Sequence, residues 1–357
     1  MSYFENFNYY PALRARPAEV LGYERLDDAR KDGLLPIFTV GAWPRQEGIA
    51  ESIQKIKAAV GKRSFILDVT RESLYMNSAT QSLLEPEQNF ANWRKFVSAI
   101  PNVIPVVQIT PSAKISQVIR QARELEQIGT HRVAFRITGF TEDIDKVTAA
   151  LSALATSENG LVIIDAGYIR ETFAASLAAS VTAINTIRQD VEDAIIAMLA
   201  TSFPASVVPH TDPNSGGRRG VISILERVLH AEIGPDAAIY GDHSSIHARV
   251  YATSGGRYVP RIDYPMYDAW AFERRPETNS AGYVDAATSL IKDYPEIKDD
   301  DTWGAERIVA AAGGEIDGMR TPAMWIAARV NMHIARQFDL SRQAAGDDED
   351  DLTEDDL

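Results

Sequence analysis

Residues 132–165, RVAFRITGFTEDIDKVTAALSALATSENGLVIID, decide the fold. Two short apolar runs, Arg132–Thr138 and Leu161–Asp165, flank a stretch in which Ile144, Val147, Leu151 and Leu154 recur at helical spacing. A short, continuously apolar run suits a strand buried on both faces. Strand, helix and strand in that order make a right-handed crossover, the building unit of α/β folds.

The unit repeats outward in both directions. Strands are predicted at Leu34–Gly41, Ser64–Val69 and Val103–Thr110 on one side, and at Asp193–Thr201 and Ala237–Asp242 on the other. An eighth is expected within Tyr258–Arg274. Helical spacing fills Gly48–Val60, Ser116–Ile128 with Gly129 as its stop, and Arg219–Ile233 before Gly234-Pro235. Glu171–Gln189 looks helical but is rich in Ala and Ser. Eight such strands favour a closed, TIM-like (β/α)8 barrel over an open sheet. The barrel domain is expected over residues 1–275 and a C-terminal helical extension over 276–340, with Thr321-Pro322 as a helix start. Residues 341–357 are expected to form a disordered acidic tail.

Composition narrows the function. The chain has 357 residues, 45% apolar and 24% charged, which is ordinary for a globular protein. It contains no cysteine, which excludes thiolate catalysis, iron–sulfur clusters and cysteine zinc sites, and fits a reducing cytoplasm. The net charge is −14, but eight acidic residues crowd the last eleven positions, and the remainder carries only −6. The body is therefore not a general polyanion binder. No stretch reaches the roughly 20 apolar residues that span a bilayer. Met1–Tyr10 lacks the basic and apolar regions of a signal peptide. A cytoplasmic protein with no membrane partner is the expectation.

A barrel carries its site at the C-terminal ends of its strands, which turns the strand assignments into a site. Asp68, Arg136, Asp165, Asp242 and His243 are the candidate catalytic groups: carboxylates and an imidazole for proton transfer, a guanidinium to grip a carboxylate or phosphate. Trp43, Gln108, Tyr168, Ser202, Tyr264, Trp270 and Arg274 are the candidate ligand contacts. The plainer alternative is that the three aspartates cap loops and Arg136 pairs with one of them. Asp242, His243 and His247, with His210 nearby, have a D-H-x-x-x-H spacing, but neither H-x-H nor H-E-x-x-H occurs, so no metal site is predicted. No cofactor can be read from the sequence. Ser215–Gly220, with two glycines and two arginines, could cradle phosphate or form an exposed loop, and so could Ser254–Arg257. Ser202 lacks the G-x-S-x-G elbow of nucleophilic serines. The aromatics near Arg274, Arg275, Arg329 and His333 could wall the mouth or form a packed lid.

Several local patterns together resemble one family. They are Tyr10-Pro11-x-Leu13-Arg14-x-Arg16-x-x-Glu19, Leu35-Pro36-Ile37, Ile66-Leu67-Asp68, Ile163-Ile164-Asp165, Ser202-Phe203-Pro204 and Gly241-Asp242-His243, then Tyr264, Trp270 with Arg274, Trp303-Gly304, and Trp325 leading to Asn331-Met332-His333. The set is similar to the beta-family proteins of satellite phages and mobile elements, dispersed over most of residues 9–337. The resemblance implies a phage-defence setting and an antitoxin- or sensor-like protein that restrains a partner encoded nearby. It implies no established reaction. Gly-Asp-His replaces the family's Gly-Asp-Tyr at the seventh predicted strand, so no aromatic hydroxyl role carries over there. Against that reading stands an enzyme, a hydrolase acting on a phosphate- or nucleotide-containing small molecule. Nothing in the sequence points directly to nucleic acid as a partner.

Overall fold

The structure, a computed structural model, describes residues 2–46, 48–140, 142–251, 258–276 and 279–354, with side chains as far as Ala344. Ser254–Arg257 lies outside the described residues.

Among the described residues there are eleven strands: β1 Tyr10–Arg14, β2 Ile37–Val40, β3 Phe65–Val69, β4 Val103–Pro105, β5 Val133–Ile137, β6 Gly160–Tyr168, β7 Ile195–Thr201, β8 Arg219–Ser223, β9 Ile239–Asp242, β10 Arg261–Pro265 and β11 Ala269–Arg274. Eight of them run parallel in the order β4-β3-β2-β1-β9-β7-β6-β5. A bridge between Val106 and Ala134, with the Val107 N–H donating to the Ala134 carbonyl at 2.7 Å, nearly closes the ends of this sheet into a barrel. The helices between and after the strands are α1 Pro17–Glu24, α2 Asp28–Gly33, α3 Ala50–Val60, α4 Ser78–Leu83, α5 Ala91–Ser98, α6 Ile115–Glu126, α7 Ile144–Leu151, α8 Phe173–Asp190, α9 Glu226–Ile233, α10 Gly282–Asp293, α11 Trp303–Ala312 and α12 Pro322–Glu354. Among the described residues no helix is long and apolar enough to cross a membrane.

Strand alternation sorts the side chains. Tyr10, Ala12, Ile37, Ile66, Ile104, Ala134, Leu161, Ile163, Ala197 and Leu199 form one buried cluster, the filling of the barrel. Their neighbours Leu13, Phe38, Leu67, Val133, Phe135, Val162, Ile164, Met198 and Tyr240 form another, beneath the surrounding helices. Continuing the inward register one step towards the C-terminal ends reaches Arg14, Thr39, Asp68, Arg136 and Asp165. The barrel filling is therefore apolar until its last layer, which is polar and charged.

Two expectations are corrected. The eighth barrel strand is the first in the chain, Tyr10–Arg14, not a segment of Tyr258–Arg274. Pro11, which has no N–H to donate, disguises it as a loop. Arg219–Ile233 is not one helix: Arg219–Ser223 pairs antiparallel with Ala269–Glu273, and a helix starts only at Glu226. The β-branched pair Val221-Ile222 decides for strand. Within Ser215–Gly220 the Ser215 hydroxyl accepts the Arg218 and Arg219 N–H groups at 3.1 and 3.3 Å.

The strands β10, β11 and β8 make a separate antiparallel sheet. A second core of Ile262, Tyr264, Ala271, Tyr283, Leu290, Trp325 and Met332 joins this sheet to the last three helices, drawing on both sides of residue 275. The helix α12 belongs to both cores, since Val330 and Ile334 pack with the barrel's outer cluster. It lies so close to α1 that a Cβ on Gly22 would sit 2.8 Å from the Ala327 carbonyl. Its Ser341 is still buried, so the packed part of the helix runs past residue 340. The disorder expected of the acidic tail falls on side chains outside the described residues.

The barrel mouth as candidate functional site

The polar layer opens into a cavity of about 1130 Å³ at the C-terminal ends of the strands. Arg136 on β5 is its centre. Its Nε and Nη2 donate to Asp165 Oδ2 at 3.0 and 2.6 Å, and its Nη1 reaches Thr39 Oγ1 at 3.1 Å and Asp68 Oδ2 at 3.3 Å. Asp68 also accepts from Gln108 Nε2 at 3.1 Å and the Val69 N–H at 2.7 Å. Arg71 donates to Gln108 Oε1 at 3.1 Å.

Asp165 holds the imidazole of His243: Nε2 lies 2.8 Å from Asp165 Oδ1, which also accepts the Gly167 N–H at 2.9 Å. Burial pushes the Asp165 carboxyl up, but the neighbouring His243 and Arg136 hold it well below the usual carboxylate range. An ionised Asp165 can only accept, so His243 Nε2 is the donor of this bond. Burial works against the Arg136 charge, but Asp165 and Asp68 outweigh it and strengthen its hold on the proton.

Asp68, Arg136, Asp165, Tyr168 and His243 all line the mouth, as expected. Gln108 sits just below it, bonded to two lining residues. The other candidates are elsewhere. Asp242 follows the parity of Tyr240, not of Gly241, and so faces outward from the barrel. There its carboxylate accepts from Tyr9 at 2.8 Å, Tyr240 at 2.9 Å, the Ser244 N–H at 2.7 Å and His333 Nε2 at 3.0 Å. Burial raises the Asp242 pKa, but His333 and these hydrogen bonds pull it below the usual range. Ser202 is buried and donates to Glu226 at 2.6 Å, inside the wall behind the cavity. Trp43 packs against the outer core. Tyr264 and Trp270 are fully covered, Tyr264 in the second core and Trp270 against Phe203, because they alternate on the small antiparallel sheet and not on the barrel. Arg274 lines a different, smaller cavity.

The structure also brings in residues the strand assignments missed. Arg14 and Glu19 line the mouth and pair at 3.1 Å, Glu19 also receiving the Arg14 N–H at 2.6 Å. The signal was present: Arg14 is the next inward position after Tyr10 and Ala12. Arg170 and Arg249 line the rim, as do His210 and His247. Tyr168 lies 4.5 Å from the His247 ring. Burial, above all, lowers the pKa of both His210 and His247. Among the described residues no group of three His, Asp or Glu side chains could hold a metal ion. Asp242 and His243, adjacent in sequence, point to opposite sides of their strand.

The arrangement can bind an anion through the rim arginines and move a proton through an oriented imidazole. The sequence profile of a family described as Beta protein matches residues 9–339. Protein beta of Enterobacteria phage P4 is 46% identical over 340 residues, which cover 95% of this chain and 95% of that protein. No solved structure matches the chain at a significant level.

Proposed function

The chain belongs to the Beta protein family, and on that premise we propose that it acts at its barrel mouth as a hydrolase of a phosphate- or nucleotide-containing small molecule. One observation carries this reading: the Arg136–Asp165–His243 array, set in a cavity of about 1130 Å³. His243 Nδ1 takes a proton from a water whose oxygen attacks the phosphorus while the P–O bond to the leaving group breaks, and the imidazolium then gives that proton to the departing oxygen. Asp165 stabilises the imidazolium that results, and Arg136 holds Asp165 ionised and in place. Arg71, Arg170 and Arg249 at the rim attract the anionic substrate. The test is turnover of phosphate esters and nucleotides by the wild type, His243→Gln and Asp165→Asn. Losing the general base should lower turnover by about 10²–10⁴-fold. Turnover unchanged in both variants overturns the mechanism.

A second reading, a defence-associated protein that senses a ligand and restrains a partner encoded nearby, draws support from the phage-encoded relative and from the acidic end of the sequence. A dense run of carboxylates steers a basic partner. Co-purification with the neighbouring gene product, with and without residues 346–357, separates the two readings. Loss of binding on truncation, with His243→Gln still binding, supports the restraint of a partner.

A further inference from the structure

A second cavity of about 290 Å³ lies on the far side of the segment after β7. Ala205 and Ser206 wall both cavities. Its charged lining comes from the small antiparallel sheet: Arg261 and Asp263 on β10, Arg274 on β11. Asp263 is paired with Arg329 at 2.6 Å and Arg261 at 3.0 Å, its hydrogen bonds falling on Oδ2 while Oδ1 has no hydrogen-bond partner among the described residues. Arg274 donates to the Gly217 carbonyl at 3.0 Å and lies near no carboxylate to which it is paired among the described residues. Two guanidinium groups, Arg261 and Arg274, thus line the cavity with one carboxylate that a third, Arg329, already pairs from outside it, which leaves a small excess of positive charge.

Tyr283 supplies the second observation. It is fully buried, lines this cavity, and its hydroxyl has no hydrogen-bond partner among the described residues. A buried phenol without a partner is unfavourable, and a ligand oxygen would supply the missing hydrogen bond. The ring stacks on Trp325, 5.2 Å between centroids, and Trp325 lines the cavity too. The long helix α12 starts here, at Pro322, and turns its positive end towards the same space.

From this we infer that the second cavity is a binding site for the oxyanion group of a small molecule, a phosphate or a carboxylate, held by Arg274 and the Tyr283 hydroxyl with Trp325 against its body. The site is separate from the mouth and does not depend on the chemistry assigned there.

Trp325 makes the test specific, because no tryptophan lines the mouth. Inorganic phosphate and, separately, acetate are titrated while tryptophan fluorescence is followed. The wild type and His243→Gln should show the same saturable change with at least one of the two anions, and the one that binds tighter identifies the preferred oxyanion. Trp325→Phe should abolish the signal. Arg274→Ala should weaken binding by roughly tenfold or more, as expected for a charge-assisted contact. Tyr283→Phe removes only an oxygen without a partner, so it should fold as the wild type does and bind several-fold more weakly. No saturable change with either anion, a signal that survives Trp325→Phe, or an affinity unaltered in both Arg274→Ala and Tyr283→Phe overturns the inference.

Discussion

Replacing Asp242 separates a structural role from a chemical one. Its carboxylate gathers four donors, the hydroxyls of Tyr9 and Tyr240, the Ser244 N–H and His333 Nε2, all in a place sealed from water. Asp242→Ala leaves those donors without an acceptor. Each buried donor left unpaired costs about 1–3 kcal/mol. The costs of neighbours do not add, and loss of one member of a buried charged pair typically amounts to about 3–5 kcal/mol. That is the expected destabilisation. Asp242→Asn keeps one carbonyl oxygen for Tyr9 and Ser244 but turns an amide N–H₂ towards His333. The imidazole cannot simply exchange its proton, because its Nδ1 already accepts from Trp270 Nε1 at 3.3 Å. A cost of about 1–3 kcal/mol follows for Asn. Urea unfolding followed by tryptophan fluorescence measures both. Because the carboxylate faces away from the mouth, the folded Asn variant should keep the chemistry of the mouth within a few-fold. A loss below about 1 kcal/mol for Ala, or an Asn variant of wild-type stability with an inactive mouth, would refute the assignment.

Gly241→Ala places a Cβ 2.5 Å from Leu199 Cδ2 and 2.7 Å from the Tyr10 carbonyl. A backbone atom cannot swing aside, so a loss of about 1–3 kcal/mol is expected in the same urea assay. His230 donates to the Ala238 carbonyl at 2.7 Å, and burial lowers its pKa despite that bond. Its unfolded form binds a proton first, so it costs stability progressively as the pH falls below about 6.5. Melting temperatures measured from pH 7 to pH 5 should therefore decline less steeply in His230→Gln.

Seven of the eight barrel strands could be read from apolar runs alone, since a strand covered on both faces needs little else. The one that could not contains Pro11. The site was harder, because a strand's end says which residues are near a rim but not which side they take. Asp68, Arg136 and Asp165 continue the inward register of Ile66, Ala134 and Ile163. Asp242 sits one position out of register, and only the pairing of Tyr10 with Gly241 reveals it. The aromatics of residues 264–274 misled for a different reason. Their alternation is that of an antiparallel hairpin, which nothing local distinguishes from a parallel barrel strand. Arg14 could have been found by extending the alternation from Tyr10.

The strand β9 meets β1 over two residue pairs and β7 over two more. Until it arrives, a chain emerging from synthesis has two open strand edges, the kind of surface on which incomplete chains stick to one another. The carboxylate that pins β9 from outside must then wait for His333, a further 91 residues on. Assembly of the mouth is thus a late event, and a product cut short anywhere before α12 would be a candidate for degradation before it could act.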